Sequence, residues 1–176
     1  MIGVSAFTIK TVAMSSRKKC IEDDFEPAFG TIVYCNIGPV EHSGVYIRNG
    51  KIAQLNGNGK IELVSPRQFT DSISTLNKKI MVPFPKDHLW EYGTSVSSYA
   101  TGERALSMIG DKRDYNFILD NCHQFCAGCI TGKFDNEINF LFFLKNLIQQ
   151  VEYIGEPITW FEWDWEYKKL LRQEPL

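Results

Sequence analysis

Val40-Glu41-His42-Ser43-Gly44-Val45-Tyr46-Ile47-Arg48-Asn49-Gly50-Lys51-Ile52-Ala53-Gln54-Leu55 reads as two strands joined by a tight turn. β-Branched and aromatic residues flank Asn49-Gly50, the strongest short-range signal for a hairpin. Two registers are open. A two-residue turn would set Val45 opposite Gln54 and send His42 and Gln54 to opposite faces. A three-residue loop, Arg48-Asn49-Gly50 with Gly50 left-handed, sets Gly44 opposite Gln54 instead. His42, Gly44, Tyr46 and Gln54 then share one face, and Val45, Ile47, Ala53 and Leu55 share an unbroken apolar one. The second register is expected, because a slip of one residue would exchange the two faces and break the apolar one.

Outward from this hairpin, residues 31–35 read as a preceding strand, after a turn at 26–30. Residues 60–64 read as a following strand, after the Asn56-Gly57-Asn58-Gly59 turn. Short connections make this an antiparallel meander. Residues 66–77 read as loop with a short helix, and 79–82 as another strand that Pro83 and Pro85 should end. Helices are expected at 102–109, from 122 to about 130 with Gly132 just past the end, at 139–150, and at 160–171 as a closing amphipathic helix. The expected class is α+β, an antiparallel sheet packed against helices. A variable lead-in over 1–25 would precede a single domain over 26–176.

The second informative stretch is Tyr115-Asn116-Phe117-Ile118-Leu119-Asp120-Asn121-Cys122-His123-Gln124-Phe125. Cys122 directly follows two good capping residues and opens a helix. Free N–H groups and the positive dipole end of a helix stabilise a thiolate, which is the nucleophilic form of cysteine. A base must then come from elsewhere in the chain, and His42 is the candidate. Cys126 and Cys129 lie at i+4 and i+7 from Cys122, as a buried helical stripe would. The same spacing matches an iron–sulfur motif, but that motif normally opens a much larger barrel. No second Cys/His pair stands at zinc-ligand spacing, so no metal and no cofactor are expected.

The chain has 176 residues, with 44% hydrophobic and 23% charged residues, which suits one globular domain. Its net charge of −2 and lack of a long basic block argue against a nucleic-acid partner. The start lacks a basic region followed by a sustained apolar run, and no window is apolar for the length of a spanning helix. Five cysteines, three of them clustered at 122–129, read as reduced thiols in a cytoplasmic setting. Residues 138–148 are apolar nearly all round. That pattern fits a buried helix, or a surface that meets lipid or an acyl chain in peripheral membrane contact.

The two motifs, in this order, resemble the lecithin retinol acyltransferase-like family of the permuted NlpC-type, papain-like superfamily. The resemblance rests on His42 through Gln54, on Tyr115 through Phe125, and on the opening Phe29-Gly30-Thr31-Ile32-Val33. It implies a permuted papain-like architecture, with Cys122 as nucleophile, His42 as general base and Gln54 as the group orienting the imidazole. Tyr46, Asn121 and His123 are expected to contact substrate. The implied activity is acyl transfer or acyl hydrolysis on a lipid or other acyl ester. The family's acyltransferases mostly carry a second histidine where Gln54 stands, and Glu-His where His123-Gln124 stands. A glutamine can orient a ring but carries no charge to stabilise an imidazolium. Two other readings use the same residues: an NlpC-type amidase or peptidase acting on a peptide, and a catalytically silent binding or regulatory protein that keeps the fold.

Overall fold

The computed structural model describes residues 25–37, 39–70, 79–86, 95–114, 121–151 and 157–166. Six strands, β1 (Ile32–Ile37), β2 (Val40–Tyr46), β3 (Ile52–Leu55), β4 (Ile61–Val64), β5 (Ile80–Pro85) and β6 (Ile158–Trp163), form one antiparallel sheet in the order β4-β3-β2-β1-β5-β6. Four helices are described: α1 (Pro66–Thr70), α2 (Tyr99–Ser107), α3 (Cys122–Thr131) and α4 (Leu141–Val151). The first four strands are the expected meander.

The hairpin takes the three-residue register. Val45 pairs with Ala53 and Tyr46 with Ile52, while Ile47 N donates to Lys51 O across the Arg48-Asn49-Gly50 loop. Asn49 and Gly50 both have positive φ, 53° and 66°. Asparagine and glycine are the residues that enter this region at least cost.

Alternation along the strands divides the core into two layers. Ile32, Val45, Ala53, Leu55 and Ile61 face α2, α3 and α4 and pack with Phe125, Cys126, Cys129, Leu144 and Ile148. Val33, Cys35, Tyr46, Ile52, Val82 and Phe84 face the other way, with Phe69 of α1 and Trp163 of β6. Tyr46 and Trp163 meet edge to face at 5.4 Å between ring centroids. Their strands stand three places apart, about 14 Å in a flat sheet. The sheet therefore curls toward this second face, and its own aromatic residues fill the hollow.

Three expectations need correction. Residues 158–163 form a strand, not the start of a closing helix. Trp160 and Trp163 are three apart, so they mimic a helical stripe, but Ile158-Thr159-Trp160-Phe161-Glu162-Trp163 is rich in β-branched and aromatic residues and pairs along the whole of β5. Tyr167, Leu170 and Leu171 of that expected helix lie outside the described residues. Nor do Pro83 and Pro85 end β5, since they pair with Trp160 and Ile158. On its other side β5 pairs with β1 only at Ile80 and Met81. Beyond those two pairs a missing N–H breaks no β1–β5 bond. The helix expected at 139–150 is α4, and it is amphipathic rather than buried. Leu141, Leu144 and Ile148 are buried, while Phe140, just before it, and Phe142 and Phe143 are exposed.

Gly44 sits in β2 between His42 and Tyr46, and a Cβ there would come within 2.6 Å of Ile52 Cγ2, 2.8 Å of the Ala53 carbonyl oxygen and 2.9 Å of Phe69 Cε2. The Ala53 backbone cannot yield without disturbing the β2–β3 register. Gly44→Ala is expected to cost about 1–3 kcal/mol in urea unfolding. A loss below about 0.5 kcal/mol, within the range of ordinary surface substitutions, would contradict this packing.

Candidate functional site

Helix α3 begins at Cys122 because Asn121 caps it. Asn121 has extended φ and ψ, and its side-chain oxygen accepts from His123 N at 2.9 Å and Gln124 N at 3.2 Å. Gln124 Oε1 accepts from Asn121 N at 3.0 Å and completes a capping box. Phe125 N donates to Asn121 O. In the first turn these bonds leave the backbone N–H of Cys122 itself unassigned among the described residues. Gly132, with φ of 77°, closes the other end as expected. Asp120 and the rest of 115–120 lie outside the described residues.

The β2–β3 pairing begins at the loop and stops at Val45 and Ala53. Beyond that point α3 meets β2. Ser43 Oγ and His123 Nδ1 are 2.9 Å apart, with both residues buried. His42, the next residue back, turns to the opposite face, its ring 4.8 Å from that of Phe69. Its Nε2 lies 2.8 Å from Gln54 Oε1. Cys122 and His42 act on each other's charge, and the Cys122 sulfur is 4.0 Å from His123 Nδ1. The structure thus brings together Cys122, His42, Gln54 and His123.

Two of the six expected site residues have other occupations. Asn121 is buried as the cap, and its amide also donates to Asn139 O at 2.8 Å. Tyr46 is 1% exposed, packed against Trp163, with its hydroxyl donating to Glu26 and accepting from Gly50 N. Both shape the frame of the site. Sequence reading missed Ser43 and Glu62. Glu62 pairs directly with Gln54 across β3 and β4, and its Oε1 accepts from Gln54 Nε2 at 3.2 Å and Asn56 Nδ2 at 2.9 Å. That neighbour was available in principle, since the 56–59 turn sets the β3–β4 register. Ser43 had no such signal, because its partner comes from a helix 80 residues away.

The charges at the site are mutually dependent. Burial alone would push the Cys122 thiol up, but the positive charge of His42 and hydrogen bonds from His123 and His42 carry it well below its ordinary value. Burial alone would push His42 down, but the Cys122 charge and hydrogen bonds to Cys122 and Gln54 raise it. Each shift favours the charged form of its group, the thiolate at Cys122 and the imidazolium at His42. Cys35, paired with His42 across β1 and β2, behaves oppositely: burial first, and then the Cys122 charge, push it up to about 12. Cys129 is pushed up by burial in the core. Among the described residues no group of three or more His, Cys, Asp or Glu could hold a metal ion.

Comparison of the chain with family models, curated proteins and solved structures finds no match.

Asn121 carries both the helix start and the link to residue 139. Asn121→Ala is expected to cost about 1–2 kcal/mol in chemical unfolding and to slow alkylation of Cys122 at neutral pH. Unchanged stability together with unchanged alkylation would contradict the role given to the cap.

Proposed function

We propose that this protein is a cysteine-dependent acyltransferase or acyl hydrolase of permuted papain-like architecture, similar to the lecithin retinol acyltransferase-like enzymes. The observation that carries this reading is the pairing of Cys122, buried at a capped helix start, with His42, half-buried on strand β2. A low-pKa thiol inside a protein needs an arrangement of this kind, and a merely structural cysteine does not.

The chemistry follows from the pair. His42 takes the proton from Cys122 Sγ, and the thiolate adds to an ester carbonyl carbon. The carbonyl π electrons move to oxygen. The N–H of Cys122, unassigned among the described residues, is the donor available to that oxyanion in the first turn of α3. When the tetrahedral intermediate collapses, the C–O bond to the leaving alcohol breaks and His42 gives its proton to the departing oxygen. The acyl group is then a thioester on Cys122. Water, or an acceptor hydroxyl or amine, attacks next while His42 accepts its proton, and the thiolate leaves.

An apolar acyl donor is favoured over a peptide by the surface beside the helix start. The Asn121–Asn139 bond ties the capped end of α3 to the residue preceding Phe140. Phe140, Phe142 and Phe143 are 56%, 68% and 47% exposed, and the Phe143 ring contacts both of the others. Aromatic side chains of this kind suit an acyl chain or a lipid interface. Among the described residues no helix is long and apolar enough to cross a membrane.

Incubation with a phosphatidylcholine or an activated fatty-acyl ester, followed by intact-mass and peptide mass spectrometry, tests the proposal. The expected result is an acyl adduct on Cys122 that hydroxylamine removes and that is absent in Cys122→Ala and slower to form in His42→Ala. An adduct only with peptide or amide donors would favour the amidase reading. No adduct with any donor, while Cys122 stays alkylatable, would favour a binding protein.

A further inference from the structure

We propose that Glu62 is a positioning residue for this site: acting through Gln54, it sets which nitrogen of His42 carries the proton and therefore which one faces Cys122. This rests on the reading of Cys122 and His42 as nucleophile and base.

The inference follows from which groups can donate. An ionised carboxylate has only acceptors, so the atom of Gln54 that meets Glu62 Oε1 at 3.2 Å must be its NH2 group. Glu62 is itself held on the same oxygen by Asn56 Nδ2 at 2.9 Å. The amide is thereby turned so that Gln54 Oε1 points at His42 Nε2, 2.8 Å away. That oxygen is acceptor-only, so Nε2 carries a hydrogen, and in the neutral ring Nδ1 is left with a free lone pair to take the thiol proton. The reverse amide orientation would set an acceptor oxygen against the carboxylate. It would also place the ring proton on Nδ1, where the base is needed.

The same relay addresses the missing charge at Gln54. Once His42 is an imidazolium, its Nε2–H bond polarises the Gln54 amide toward a carboxylate, so a negative group stands behind a neutral one. Glu62 does not touch the thiol. Its place is structural and specific, directly across from Gln54 in the β3–β4 register. Among the described residues, the other titratable groups around the imidazole and thiol are His123 on α3 and Cys35 on β1.

The test is the pH profile of Cys122 alkylation by iodoacetamide, followed by peptide mass spectrometry, in wild type, His42→Ala, Gln54→Ala, Glu62→Ala, the Gln54→Ala/Glu62→Ala double variant and Glu62→Gln. It is paired with the ring 15N spectrum of His42 in Cys122→Ser protein. Glu62→Ala is expected to shift labelling to higher pH and slow it roughly tenfold at neutrality, the size of about one pH unit. The double variant should be no slower than Gln54→Ala alone, because the two side chains act in series. Glu62→Gln, which keeps an acceptor oxygen, should recover part of the loss and controls for folding. The 15N spectrum should show the Nε2–H form, and a mixture in Glu62→Ala. An unshifted profile in Glu62→Ala, losses that add in the double variant, or an Nδ1–H ring in the parent would overturn the role of Glu62. If His42→Ala also left the profile unshifted, the nucleophile–base reading itself would fail. A His42 effect without a Glu62 effect would remove only the relay.

Discussion

A buried sulfur and a half-buried imidazole must share one proton, and the surrounding structure is arranged around that demand. Burial penalises each charged form alone: it opposes the Cys122 thiolate and the His42 imidazolium. Their mutual attraction, added to the hydrogen bonds with His123 and Gln54, outweighs both penalties, so the pair is charged or not as a unit. Such a pair is costly if either partner moves, because the remaining charge would be left uncompensated. This explains the density of fixed bonds around it. Asn121 anchors the helix start, Ser43 holds His123, Gln54 holds His42, and Glu62 and Asn56 hold Gln54.

Much of this frame was legible in the chain, for reasons that are local. Asn49-Gly50 with alternating flanks specified the loop, and through it the shared face of His42 and Gln54. Asn121 and Gly132 marked both ends of α3, because capping is decided by one side chain at one end and one backbone conformation at the other. The α+β class and the meander followed from short connections between β-rich runs. Cys126 and Cys129, read as a buried stripe, lie in the core.

What was not legible depended on partners distant in the chain. Residues 160–163 looked helical because two tryptophans fell at helical spacing, yet β5 offered a full strand's worth of pairing. Pro83 and Pro85 looked like a strand end, yet β1 stops pairing before them. Tyr46 shares the face of His42, as its place in the strand dictates, but the curl of the sheet seals it against Trp163. The contact between Ser43 and His123 needs the docking of a helix onto a strand, which no local pattern encodes. In each case tertiary pairing overrode the local signal or supplied what it lacked.

The shared proton is observed most directly by thiolate absorbance near 240 nm across a pH titration, taken as the difference between the wild-type protein and Cys122→Ser. A thiol held well below its ordinary value ionises early, so the difference signal should already be present at neutral pH, fade only as acid protonates Cys122, and collapse in His42→Ala. A difference signal that first rises in the alkaline range of an ordinary cysteine, unaffected by loss of His42, would contradict the ion pair on which the rest depends.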